Sequence, residues 1–200
     1  MHIVKLISQY DNAINYKEIT IHLKDINLEK IVFKFEKRHF KHLLGFHYTK
    51  FRNTASAQIF KMCKNGKFEL MENDLFVYDK KSNSYKRLSG KGVNKLIDKI
   101  KNFKIIHSIL CSNNKTTLID FDKTLIINGN TNQGSEYILH LEKSDTRFHL
   151  GLKYDSQNNI FVPISFFFES GDKKDKFIEG QRKIKIIKIS RNNWFVAKKI

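Results

Sequence analysis

The chain has 200 residues, 40% of them hydrophobic, and carries 37 Lys and Arg against 20 Asp and Glu, a formal charge of +17. An apolar fraction that high, with 17 Phe, excludes a disordered tail and is enough for a packed core. The charge exceeds what solubility requires and predicts attraction to polyanions through counterion release from phosphate, although an AT-rich coding sequence also enriches Lys, Ile, Asn and Phe.

In chain order, Ile3, Leu6, Ile7, Tyr10 and Ile14 fall at helical spacing and predict an amphipathic helix over 3–14. Alternating, β-branched residues then predict strands at 19–23 and 31–35, with a turn at Asp25-Ile-Asn27. A short helix is expected from Lys37 to Leu44, with Gly45 as its left-handed terminator. Another helix is expected over 54–64, and 65–90 is ambiguous. Val93, Leu96, Ile97, Ile100, Phe103, Ile106 and Leu110 form one apolar stripe, which predicts a continuous helix over 91–110. Beyond it the period changes to two. Strands are expected at 116–120, 125–127, 137–141, 148–152, 160–168, 184–189 and 195–196, joined most simply as an antiparallel meander. Residues 129–134 are the most loop-like.

Helices first and strands later predict an α+β fold. Its N-terminal helices and hairpin are expected to pack on a C-terminal antiparallel β-sheet. A single domain is expected over 1–200, mainly helical with an N-terminal hairpin over 1–112 and sheet over 113–200. Charge is uneven along it: residues 34–67 carry net +8 and 171–200 net +7, while 113–170 carry net −2. The two basic segments are expected to meet.

Cys63 and Cys111 supply neither a zinc spacing nor a disulfide framework, so two buried thiols are expected. Asp120-Phe-Asp122 offers too few ligands for a metal site, and no metal or cofactor is expected. Met1-His-Ile-Val-Lys5 precedes no long apolar run, and no membrane-length apolar stretch occurs. A cytoplasmic protein with no membrane partner is therefore expected.

Three segments can carry chemistry. In Lys37-Arg-His-Phe-Lys-His-Leu-Leu-Gly45, His39 and His42 share a helix face among Arg38 and Lys41. The plain alternative is a basic helix anchored by Leu43 and Leu44. In Arg147-Phe-His-Leu-Gly-Leu-Lys153, alternation puts Arg147, His149, Gly151 and Lys153 on one face and Phe148, Leu150 and Leu152 on the other. A solvated sheet face reads similarly, but Gly151 leaves room for a ligand backbone to approach. Ser165, in Pro163-Ile-Ser-Phe-Phe-Phe-Glu169, matters only if it faces the same side.

Taken in order, these elements resemble the phage barnase/EndoU/colicin/RelE-like nuclease domains, in particular the fourth phage family. The resemblance rests on Phe40-Lys-His-Leu-Leu-Gly45, Thr117-Leu-Ile-Asp-Phe-Asp122, Tyr137-Ile-Leu, Phe148-His-Leu and Pro163-Ile-Ser-Phe-Phe, and spans roughly 15–190. It implies an N-terminal helical part, a four-stranded antiparallel sheet and metal-independent RNA cleavage of the toxin type. It carries His42, His149 and Ser165 as matched site positions. Arg147 and Lys153 join them as basic neighbours, and Arg38, His39, Lys41, Lys183 and Lys185 are expected to bind RNA. RNA is the expected partner, with an acidic antitoxin or immunity protein, or a host nucleic-acid machine, as further ones. The alternatives are a non-catalytic RNA- or protein-binding module that blocks such a machine, and a protein inhibitor with no nucleic-acid role.

Overall fold

A computed structural model describes residues 3–13, 17–112, 115–126, 134–171 and 177–193. The chain divides into two compact units that interleave in sequence. Unit 1 is 1–15 with 36–105, and unit 2 is 16–35 with 106–200. The two basic segments accordingly fall mainly in different units.

Unit 1 is built on helices α1 (Ile3–Ala13), α2 (Lys37–Leu44), α3 (Ser56–Lys64) and α4 (Val93–Asn102). Tyr10, Phe40, Phe60 and Phe103 form its aromatic centre, with edge-on contacts such as Phe40–Phe60 at 5.2 Å. The Tyr10 hydroxyl donates to the Glu36 carbonyl at 2.8 Å, so the ring's polar end is satisfied. The ambiguous stretch after α3 is a three-stranded antiparallel sheet: β3 (Phe68–Met71), β4 (Asp74–Asp79) and β5 (Ser84–Arg87). Phe68, Leu70 and Leu75 bury its inner face.

The helix expected over 91–110 is two helices, α4 and α5 (Ile105–Cys111), with the break at Phe103–Lys104. The unit boundary falls there, between Ile105 and Ile106. One apolar stripe therefore serves two cores, which explains why periodicity alone reads it as continuous.

Unit 2 holds an eight-stranded sheet in the order β10-β6-β7-β8-β9-β2-β1-β11. Its strands are β1 (Lys17–Leu23), β2 (Lys30–Lys34), β6 (Thr116–Asp120), β7 (Tyr137–Lys143), β8 (Thr146–Asp155), β9 (Ile160–Ser170), β10 (Arg182–Ile184) and β11 (Ile186–Asn193). β6 to β9 form the expected antiparallel meander. The sheet is larger than four strands, because the β1–β2 hairpin belongs to it rather than to the helical part and β10 and β11 add two more. β2 meets β9 in parallel at Phe33–Phe161. β10 pairs with β6 and β11 with β1, yet only Lys185 separates β10 from β11. The two sheet edges are thus consecutive pieces of one segment, and the sheet nearly closes into a barrel. Leu118, Leu139, Leu150 and Phe166 stand in register on one face, all fully buried.

The strand expected at 125–127 is not formed within the described residues: Lys123–Leu125 is a 3₁₀ turn capped by the Asp122 side chain, which accepts from the Thr124 N–H. Ile127, the loop-like 129–133 and the expected strand at 195–196 lie outside the described residues. Cys63 is buried, as expected, but Cys111 is exposed, with its Sγ 3.4 Å from the His107 ring and hydrogen-bonded to Arg191. Among the described residues no helix is long and apolar enough to cross a membrane.

Candidate functional site

Each unit places its own group of the expected residues. In unit 2, Arg147, His149 and Gly151 share a face of β8, as alternation requires. That face is covered. Ile119, Phe121, Ile126, Ile138 and Ile178 form a second small core on this side, with Phe167 and Phe177 packed against it. His149 is fully buried, stacked on Phe167 at 4.6 Å between ring centres and flanked by His140 at 5.1 Å and Phe177 at 5.9 Å. Burial lowers its pKa, partly offset by Glu169, whose carboxylate lies 3.4 Å from Nε2. The ring is therefore neutral and sealed. Arg147 is nearly buried, paired with Glu142 at 3.4 Å.

Ser165 stands opposite Gly151 in the same register that pairs His149 with Phe167, and a bulge in β9 follows, between Gly151 and Leu152. The space beside Gly151 is filled from within: a Cβ there would sit 2.2 Å from Ser135 Oγ and 2.3 Å from Ser165 Oγ. Gly151 thus admits two serine hydroxyls of its own chain, which corrects the expectation of room for a ligand. Lys153 is exposed, with Nζ beside Gly134. Next to Ser135 opens a cleft of about 740 Å³ lined by Asp120, Asp122, Glu136, Lys123, Tyr137 and Arg182, among others. Its carboxylates outnumber its cations, and Arg182 is already held by Asp25 and Asp120. That balance suits a phosphodiester poorly. Among the described residues, no group of three or more His, Cys, Asp or Glu gathers as a metal site. Lys183 and Lys185 are exposed at the β10–β11 junction.

In unit 1 the sequence builds an open cationic corner. Phe40, Leu43 and Leu44 bury one face of α2, which turns Lys41 and His42 outward. His39, expected at a surface, is buried instead. Its Nδ1 accepts from the Glu36 N–H at 2.9 Å, closing a reciprocal cap at the helix start. Arg38 Nε pairs with Glu36 at 2.7 Å, and Lys41 Nζ donates to the carbonyls of Arg52 and Thr54, both at 2.8 Å. These two cations hold structure first.

Gly45 ends α2 at φ +87°, with its N–H on the Lys41 and His42 carbonyls. The chain then enters a 3₁₀ turn, Phe46–Tyr48, which buries Phe46 and leaves His47 half-buried and Tyr48 exposed. The turn brings His47 back to His42, ring centres 4.9 Å apart, and sets Tyr48 3.9 Å from His47. Gly92, just before α4, touches Tyr48 so closely that a Cβ would lie 2.3 Å from the Tyr48 carbonyl oxygen. This contact lays α4 along the turn, with Lys95 and Lys99 ammoniums 5.4 and 5.6 Å from the Tyr48 ring centre.

Burial, then Lys41 and Lys99, lower the His42 pKa. Burial, then His42 and Lys99, push His47 down to about 4 against a partial rise from a hydrogen bond to the Lys41 carbonyl. Burial and Lys95 bring Lys99 down to about 8. Near neutral pH the corner holds two neutral imidazoles beside an ammonium poised to give up its proton.

His47, Tyr48, Lys95 and Lys99 were not among the residues expected from sequence. His47 follows the Gly45 terminator closely, but no sequence signal pairs it with lysines some fifty positions on. His42 and His149, expected to act together, belong to different units.

Neither a curated protein nor a solved structure matches the chain. The family model described as phage-Barnase-EndoU-ColicinE5/D-RelE like nuclease4 matches residues 2–193, nearly the whole length, and the chain belongs to that family.

Proposed function

We propose that the protein is a metal-independent endoribonuclease of the toxin type whose chemistry resides in the cationic corner of unit 1. The observation that carries this reading is the contact between the His42 and His47 rings beside Lys99, in the more basic of the two units. Unit 1 has eighteen Lys and Arg against seven Asp and Glu, net +11 of the +17. Family membership supports a nucleic-acid substrate.

The reaction is attack by an RNA 2′-hydroxyl on its own phosphodiester. His42, exposed and neutral, takes the 2′-proton as the oxygen bonds to phosphorus. Lys99 gives a proton to the departing 5′-oxygen, with a pKa close to the working pH as efficient proton transfer requires. Lys95 and the His47 ring line the place where charge builds on the phosphorane. The products are a 2′,3′-cyclic phosphate and a 5′-hydroxyl. His149, Arg147, Lys153 and Ser165 take no part in this reading, since His149 is sealed and Arg147 is already paired.

The test is cleavage of a single-stranded RNA in EDTA, with end-group analysis. His42→Ala and Lys99→Ala are each expected to slow cleavage by roughly 10²–10⁴-fold with the fold intact. Activity that disappears with EDTA, or that survives His42→Ala, refutes the proposal. RNA that is bound but left intact by the wild type selects the non-catalytic binder.

A further inference from the structure

The outward face of β1, β2 and β11 in unit 2 carries a row of basic side chains that the cleavage chemistry does not use. His22 stands directly opposite Lys30 on one side and Lys188 on the other, so three basic side chains lie abreast across three strands. Strand spacing of about 4.8 Å puts these neighbours within interaction range. Lys30 and Lys188 are exposed and His22 half-buried, while the alternate residues Ile19, Ile21, Ile31 and Phe33 are fully buried on the opposite face. His22 Nε2 lies 3.3 Å from Ser190 Oγ, and the next rung adds the Thr20 hydroxyl. Lys24 and Lys185, both exposed, continue the row beyond His22, where the Lys24 N–H meets the Lys185 carbonyl at 2.9 Å.

Carboxylates are set aside from this row. Asp25 is held by Arg182 and by the Asn27 N–H at 2.9 Å. Glu18 lies two rungs away, opposite Lys34 and Asn192. Glu29 precedes Lys30, before the strand begins. An ordinary solvated sheet face pairs opposite signs across strands, because like charges directly opposite destabilise the sheet. A row of basic side chains with no carboxylate opposite them is useful where a polyanion lies over it.

We infer that this face is a docking track for the sugar-phosphate backbone of RNA, with Lys30, His22 and Lys188 on phosphates and Thr20 and Ser190 within reach of phosphate or ribose oxygens. Such contacts fix position without reading bases, so the track recognises RNA irrespective of sequence. The inference rests on the ribonuclease reading for the identity of the polyanion, and on the sheet geometry for the site.

The experiment follows binding of a 2′-O-methylated single-stranded RNA, which cannot be cleaved by this route, by fluorescence anisotropy across a salt series. Lys30→Ala/Lys188→Ala is expected to make the slope of log affinity against log salt shallower by about 1.4, two phosphates at roughly 0.7 each. Its melting temperature should hold or rise, because a repulsion is removed, and its turnover of a dinucleotide substrate should equal that of the wild type. Lys80→Ala/Lys81→Ala, an equal loss of charge from the β4–β5 turn, should leave the slope unchanged. A wild-type slope in the Lys30/Lys188 variant, or an equal drop in the Lys80/Lys81 control, overturns the track while leaving the ribonuclease reading standing. Wild-type protein that neither binds nor cleaves RNA overturns both.

Discussion

At the residue scale, His149 shows how alternation can identify a face and miss its surroundings. Period two correctly groups Arg147, His149 and Gly151, because successive strand side chains point to opposite sides. It says nothing about what lies above that face, and here Phe167 and Phe177 do. The consequence is measurable in stability. A histidine titrates near 6.5 when unfolded, whereas burial lowers the His149 pKa in the folded state. Above that pH both states are neutral at this position, and it contributes nothing to the pH dependence. As pH falls below about 6.5 the unfolded chain binds the proton first, so the folded state loses stability, by at most about 1.4 kcal/mol per pH unit. His47, at about 4 when folded, acts with the same sign between roughly pH 6.5 and 4. His149→Phe, which keeps a ring in the site, should narrow the gap between urea midpoints at pH 7.5 and pH 5. An unchanged gap would show that the ring is not held neutral.

At the scale of elements, α2 was legible almost to the residue, because an apolar stripe and a terminating glycine are both local signals. Its Gly45 boundary and its exposed His42 follow from them. The α4–α5 break was not legible, since Phe103 belongs to one core and Ile106 to the other without a change of period. The candidate site was half legible for the same reason. His42 could be placed from its own helix, whereas Lys99 is brought to it by tertiary contacts, its stem against Gly45 and Gly92 against Tyr48. Gly92 is at φ +85° and has a backbone oxygen where a methyl group would go. Gly92→Ala should therefore cost about 1–3 kcal/mol by overpacking. In a chain of this length that is a fall in Tm of roughly 2–12 °C. Cleavage should fall as well, as α4 is pushed off the turn. Gly90→Ala, at φ +111° with nothing within 4 Å, isolates the backbone strain in the same measurement. If the two variants melt and cleave alike, the Gly92–Tyr48 contact does not organise the corner.

At the scale of the whole molecule, most individual strands could be read from the sequence, but the order in which they pair could not. Local alternation finds β1, but reads one strand over 184–189 where Lys185 separates β10 from β11, and nothing local links Ile21 to Ile189. Family resemblance supplied the nuclease expectation and a four-stranded antiparallel sheet, and the structure extends that sheet to eight strands and near closure. A chain truncated after Lys185 keeps β10 on β6 and β1 on β2 but leaves the other edge of β1 unpaired. An unpaired edge of that length is a template for other chains. Light scattering and size-exclusion chromatography should find the truncated protein aggregated where the full chain is monodisperse, and a monodisperse truncated chain would show that β11 is dispensable.

Because β11 fastens β1, the order of manufacture matters. A ribosome moving at roughly 5–20 residues per second leaves the first hairpin waiting on the order of 10–30 s for the segment that completes it. Everything the helical unit needs has been synthesised by Ile105. Each nascent copy thus passes through a stage in which the basic corner is already assembled while the sheet still gapes on one side.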